Sequence, residues 1–190
     1  ATTVPYEFNT ANNVYVDGTV LILTVIRDVA ITNVVPARDW VYQGRLIDIN
    51  VTAKNLGDIN ETFDVKAYYD SNLIGTLPVI NLAPDAEITL TFAWNTSLIP
   101  PCHNYTITGE ATAVPYEFDM TNNIYVDGTI KVVLLGDVNR DGRVDMIDIT
   151  WVILAFGSTP KMPNWNPACD LREDGVIDMR DMVIVILNFG

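Results

Sequence analysis

Leu46–Lys54 reads LIDINVTAK, and its alternation decides the first question about the fold. Ile47, Ile49, Val51 and Ala53 share one face while Asp48, Asn50, Thr52 and Lys54 take the other, the period-two pattern of a half-buried strand. The same pattern recurs outward from this stretch. Phe63, Val65, Ala67 and Tyr69 form the inward set of Thr62–Tyr69, and Ile88, Leu90, Phe92 and Trp94 that of Ile88–Trp94. Tyr105, Ile107, Gly109 and Ala111 form a further set, and Ile124–Leu135 makes a longer last strand with a bulge or bend at Val126-Asp127-Gly128. Asn55–Asp58, Asp70–Asn72 and Ala83–Asp85 carry turn chemistry between the runs. With a first strand near Val29–Val35, six runs fall in about 110 residues, close to the about seven strands of an immunoglobulin-like sandwich.

Charge and composition narrow the function. With 24 acidic against 11 basic side chains, a formal net charge of −13 and 49% hydrophobic residues, the chain should fold, and it should attract cations instead of nucleic acid or anionic membranes. No apolar run approaches a bilayer span; the longest are such as Val20–Leu23 and Trp151–Phe156. The chain begins at Ala1, which fits removal of a signal peptide and fits a fragment equally well. A secreted, extracellular or cell-surface location is expected.

A repeat sets the organisation. ATTVPYEFNTANNVYVDGTV at Ala1–Val20 returns as ATAVPYEFDMTNNIYVDGTI at Ala111–Ile130, so a structural unit has been copied in part. Three segments follow: 1–26, repeating the end of the sandwich; 27–135, the sandwich; and 136–190, a small helical module. The second copy ends a strand-rich region, whereas the first has no strands of its own to complete. Val14–Ile26 is nearly apolar on both faces and would be an aggregation site if left free. Two readings stand side by side: it docks by strand addition on a neighbouring subunit, or it is the tail of a preceding repeat.

In the module the acids cluster. DVNRDGRVDMID at Asp137–Asp148 places oxygen donors at loop positions 1, 3, 5, 9 and 12, with Gly142 at the sharp turn, the spacing of a calcium loop. Asp137, Asn139, Asp141 and Asp148 would coordinate directly, Arg143 through its carbonyl, and Asp145 directly or through water. DLREDGVIDMRD repeats the pattern 33 residues on, at Asp170–Asp181. There Asp170, Asp174, Asp178 and Asp181 with the Val176 carbonyl remain, but Arg172 puts a cation where position three needs an oxygen. The helices after these loops, around Met146–Phe156 and Met179–Phe189, are apolar on nearly every side, so some of that surface must be covered by a partner or by the same chain.

These residues carry two resemblances. DVAITNVVP, DINVTAKNLGDINETFDVKAYYD, NLIGTLPVINLAPDAEITLTFAW and NYTITGEATAVPYEFDMTNNIYVDG, over about Arg27–Leu135, resemble the CARDB family of adhesion-related sandwiches repeated in bacterial and archaeal surface proteins. DVNRDGRVDMIDITWVILAFG and DLREDGVIDMRDMVIVILNFG, within Gly136–Gly190, resemble the two halves of a dockerin module. The fold expected is therefore mainly β: a seven-stranded immunoglobulin-like sandwich with a small C-terminal α-helical dockerin-like domain containing two calcium loops. Dockerins imply calcium as cofactor and a cohesin as partner, read largely by polar residues at loop positions 10 and 11. Here those positions hold Met146, Ile147, Met179 and Arg180, which supports dockerin folding more than a cellulosomal cohesin. Self-association, head to tail, is the other partner expected.

The remaining signals are simpler. Asn50, Asn60, Asn95 and Asn104 open Asn-X-Ser/Thr sequons out of phase with the inward sets, hence as candidate glycosylation sites on solvent faces. Cys102 and Cys169, an even count with one in each domain, are expected to pair in an oxidising compartment. Trp40, Trp94 and Trp165 suggest a sugar platform, yet Trp94 falls on the buried phase. For catalysis there is one histidine, His103, with no nucleophile elbow or phosphate loop; Glu110 and Glu117 lie in a strand and in the repeated hairpin. No enzyme activity is expected.

Overall fold

The alternating strands assemble into two sheets. In the structure, a computed structural model that describes residues 2, 4–16 and 18–190, they are β1 (Val29–Pro36), β2 (Trp40–Tyr42), β3 (Leu46–Asn55), β4 (Glu61–Tyr69), β5 (Asn72–Leu82), β6 (Glu87–Asn95), β7 (His103–Ala111) and β8 (Ile124–Val133). One sheet has the order β1-β3-β6 and the other β2-β8-β7-β4-β5. All pairs are antiparallel except β2 with β8. The described residues thus hold eight strands, where the sequence pattern implied about seven. Neither β2 nor β5 shows a clean period of two: β2 is three residues buried throughout, and β5 is an edge strand with little buried surface.

The inward sets read from alternation line the core. Ile47, Ile49, Val51, Ala53, Phe63, Val65, Ala67, Phe92, Trp94, Tyr105, Ile107 and Ala111 all belong to one buried cluster, with Tyr69, Ile88 and Leu90 packed against it. Trp94 stacks on Tyr69 at 4.9 Å, so it serves packing and not a sugar platform. At the expected bend the β7–β8 register shifts opposite Gly128, whose φ of 134° suits glycine.

Long-range polar contacts close one end of the sandwich. Glu61 is buried and receives the Arg27 guanidinium on both oxygens at 2.7 and 2.6 Å, a fork geometry that offsets the desolvation of the carboxylate. Glu117 accepts from the Val29 and Val114 amides and from the Asn123 side chain, fastening the second repeat copy to the start of β1.

The first copy takes another course. Residues 18–26 form no strand, and Val20, Leu21, Ile22 and Leu23 are exposed, whereas their counterparts in β8 include the buried Ile130, Val132 and Val133. Ala1, Thr3 and Asp17 of this expected segment lie outside the described residues.

The module contributes α1 (Met146–Ala155) and α2 (Met179–Leu187). Each starts on an aspartate, Asp145 or Asp178, that accepts an amide of the first turn, and each third helical residue, Asp148 or Asp181, returns a bond to the cap's own amide. This reciprocal box satisfies orphan donors at both helix starts. The module does not stand apart from the sandwich: Trp40, Tyr42 and Val133 share its core with Val144, Val152, Leu171, Ile177 and Val185. No helix among the described residues is long and apolar enough to cross a membrane.

Candidate metal centre and docking surface

The first acidic loop is organised by backbone amides. Fully buried Asp137 accepts the Asp141 amide at 3.1 Å and the Gly142 amide at 2.9 Å. Asn139 accepts from the Asp141 amide at 2.9 Å, and Asp141 from that of Arg143 at 3.0 Å. Asp148, also fully buried, accepts from Val138, Asn139 and Asp145. Gly142, with φ of 95°, makes the sharp turn in the left-handed region.

The second loop repeats five of these seven bonds, with no counterpart among the described residues to the Asn139 acceptor or to the Val138 amide. Asp170 accepts from Asp174 and Gly175, Asp174 from Val176, and Asp181 from Arg172 and Asp178. Charge differs as well. Arg172 Nε lies 3.9 Å and Arg180 Nη1 3.8 Å from Asp174 Oδ2, and Arg180 Nε lies 3.7 Å from Asp178 Oδ2. Among the described residues no ion pair involves Asp137, Asp141, Asp145 or Asp148 of the first loop. Arg172 thus lies against one of the loop's own acids.

The electrostatics show what the loops lack. Burial, and then the charges of Asp148 and Asp141, push the Asp137 carboxyl above the usual range, against the opposing pull of the Gly142 and Asp141 amides. Burial does the same to Asp170, with Asp181 and Asp174 adding to it. No three His, Cys, Asp or Glu side chains among the described residues stand together as a ready ion site, because the carboxylates are turned onto amides. The donor set still fits a hard divalent cation: two buried carboxylates, further acids and an amide oxygen in one turn, with neither Arg140 nor Arg143 in an ion pair with them among the described residues.

The expected apolar surface is present. α1 buries Asp148, Val152 and Ala155, and α2 buries Asp181 and Val185. Met146, Ile147, Trp151, Ile153 and Leu154 of α1, and Met179, Val183, Ile186 and Leu187 of α2, remain exposed.

The opposite side of the module rests on the sandwich. The Tyr42 hydroxyl donates to the Ala168 carbonyl at 2.7 Å, Lys131 donates to the Arg140 carbonyl at 2.8 Å, and the Arg45 guanidinium donates to the Leu171 carbonyl. Arg140, inside the first loop, sits over the Trp40 ring at 4.3 Å. Sequence reasoning missed this seat. Its signal was the short apolar run Trp40-Val41-Tyr42, buried on both faces.

The cysteines correct an expectation. Both are free thiols: Cys102 is exposed in the turn before β7, and Cys169 is buried in the shared core. Burial, then the charges of Asp181 and Asp148, push the Cys169 thiol up to about 12, so it behaves as an apolar core residue. The four sequon asparagines are exposed. Asn50 accepts from Thr91, Asn60 donates to Asn81 and Asn95 accepts from Ser97.

Two domain families match this arrangement of a strand sandwich and a module with paired acidic loops and exposed apolar helices. The CARDB family model matches residues 22–127, and the chain belongs to that family. The model of the dockerin type I domain matches residues 135–189. Both are families of non-catalytic domains typical of extracellular or cell-surface proteins. Among solved structures, the CARDB domain of a Pyrococcus furiosus protein in complex with two metal ions is 26% identical, with a TM-score of 0.49, covering 60% of this chain and 99% of that one. A domain of a putative cell surface protein from Methanosarcina acetivorans is 18% identical, with a TM-score of 0.46, covering 57% of this chain and 93% of that one. A β-glucosidase from Erythrobacter marinus is 15% identical, with a TM-score of 0.42, covering 56% of this chain and only 16% of the enzyme. With TM-scores below 0.5, none of these likenesses bears on what the chain does. No curated protein matches the chain.

Proposed function

We propose that the chain is an extracellular docking and adhesion protein that engages another polypeptide through the bare helical face of its C-terminal module, with the sandwich as its rigid mount. The observation that carries this reading is the apolar surface around Met146, Ile147, Trp151 and Leu154 of α1 and Met179, Val183 and Leu187 of α2, left open while the module's other side is seated on the sandwich. An exposed apolar area of this kind on a folded chain marks an interaction site. A cohesin-like domain is one partner; a second copy of the chain is the other. Dockerin domains typically bind cohesins, whereas the apolar residues at loop positions 10 and 11 favour a greasier contact. Sedimentation of the purified chain, alone and with a cohesin domain, separates the two. A chain that stays monomeric and ignores cohesins would overturn docking through this face.

Calcium belongs to the same reading. The first ion would be held by Asp137, Asn139, Asp141, Asp145, Asp148 and the Arg143 carbonyl, and the second by Asp170, Asp174, Asp178, Asp181 and the Val176 carbonyl. Bound calcium supplies the positive charge these carboxylates lack. The segments 1–26, 27–135 and 136–190 are then a donor arm, a spacer sandwich and a docking module. Asn50, Asn60, Asn95 and Asn104 would carry glycans, which peptide mass spectra of native material would show.

A second reading, head-to-tail assembly into a fibre by strand donation, is favoured by the exposed apolar run Val20–Leu23. Donor and acceptor would be different surfaces, so the contact need not close. Negative-stain images of the full chain and of a chain lacking residues 1–26 test it: fibres that persist without the segment exclude donation.

A further inference from the structure

The two copies of the repeated segment have folded the same turn, but only one of them has a seat. In the second copy Tyr116 takes a φ of 60°, the Glu117 amide donates to the Val114 carbonyl at 3.2 Å, and Glu117 Oε2 accepts from the Val114 amide and from Asn123. In the first copy Tyr6 takes a φ of 67°, the Glu7 amide donates to the Val4 carbonyl at 3.2 Å, and Glu7 Oε2 accepts from the Val4 amide and from Asn13. Gly18 and Gly128, the paired glycines of the later bend, both lie in the left-handed region at 107° and 134°.

The difference lies in what the turns touch. Glu117 Oε1 receives the Val29 amide at 3.0 Å, and the Phe118 amide donates to the Arg27 carbonyl at 2.7 Å, so the second copy grips the start of β1 with one carboxylate and one amide. Among the described residues nothing donates to Glu7 Oε1 and nothing accepts from the Phe8 amide. Val4 is 63% exposed where Val114 is 5%, and Val20 is 89% exposed where Ile130 is 0%. The turn of the first copy is therefore folded in the shape of its twin's and lacks the strand that the twin holds.

We propose that residues 4–26 are a recognition arm for a CARDB-type sandwich that lacks its own last strand, and that the Glu7 turn reads that acceptor. The proposal rests on the strand-donation reading and adds its partner and its point of recognition. Glu7 Oε1 takes the acceptor amide that corresponds to Val29, and the Phe8 amide takes the carbonyl that corresponds to Arg27. Val20, Ile22 and Leu23 enter the slots that Ile130, Val132 and Val133 fill in this chain. A turn formed before contact lowers the ordering cost of strand addition, and the carboxylate supplies a charge-assisted bond that a register one residue out would forfeit.

The test uses the chain opened at its own slot. Val132→Asp places a charge where a buried valine closes β8, so the twin no longer seats. With residues 4–26 present, the Val132→Asp chain is expected to keep its sandwich melting transition and to sediment as an oligomer; with residues 1–26 deleted as well, the transition is lost. A synthetic Val4–Ile26 peptide should then bind the deleted Val132→Asp chain, and the peptide with Glu7→Ala should bind about tenfold to a hundredfold more weakly, the worth of a hydrogen bond to a charged group. Equal loss of the transition with and without residues 4–26, together with no binding of the Val4–Ile26 peptide, overturns both donation and its partner. Equal binding of the wild-type and Glu7→Ala peptides overturns recognition by Glu7 and leaves donation standing.

Discussion

Replacing Trp40 by alanine tests whether sandwich and module are one mechanical unit. The ring is 8% exposed, lies edge-on to Tyr42 at 5.0 Å and carries the Arg140 guanidinium at 4.3 Å. An aromatic side chain buries about 150–250 Å², which at roughly 25 cal/mol per Å² corresponds to about 4–6 kcal/mol as an upper bound. Measured aromatic-to-alanine losses in cores run about 3–5 kcal/mol, and the cation contact adds about 0.5–2 kcal/mol that does not sum independently. Near 4 kcal/mol, the expected fall in Tm is about 10 °C for a chain of this size. Trp40 belongs to the module's core cluster and not to the sandwich's own, so calorimetry in saturating calcium should show the module's transition falling most. Phe63→Ala, inside the sandwich core, should move the sandwich transition instead. If Trp40→Ala leaves the module's melting unchanged, the shared core contributes nothing and the two domains are independent.

Other outcomes follow from the loops and the shared core. Asp148→Ala removes the acceptor of three amides and should cost about 1 kcal/mol through helix capping even in chelator; titration calorimetry should show the first calcium event lost as well. Arg172→Asn should tighten the second site about tenfold, since it adds an oxygen donor and removes a cation beside Asp174; unchanged calorimetric affinity would exclude that residue as the cause of a weak site. On the alkaline side, the Cys169 thiol rises from 9.0 to about 12 in the folded chain, chiefly through burial, and the Tyr42 phenol is raised by burial too. A raised acid favours the folded state below its unfolded pKa, so urea midpoints should hold to about pH 9 and fall as pH climbs toward about 12, less steeply in Cys169→Ala. A thiol reagent should label exposed Cys102 at once and Cys169 only on unfolding.

Much of this molecule is readable along the chain because its information is local and periodic. Alternation in Leu46–Lys54 or Tyr105–Ala111 assigns each side chain to a face, since the pleat has a period of two wherever the strand ends up. The acidic loops are equally legible: donor spacing, turn glycine and capping aspartate act within a dozen residues of one another. What the sequence could not carry was pairing between distant segments. That Arg27 meets Glu61, that β2 joins β8 in parallel, and that Cys169 is enclosed by the module's core instead of reaching Cys102 depend on which surfaces the completed sandwich brings together. The repeated segment shows the division most sharply. Sequence alone makes residues 4–8 and 114–118 fold the same turn, because its bonds close within a few residues, but only the presence of β1 beside the second copy turns that local shape into a buried joint.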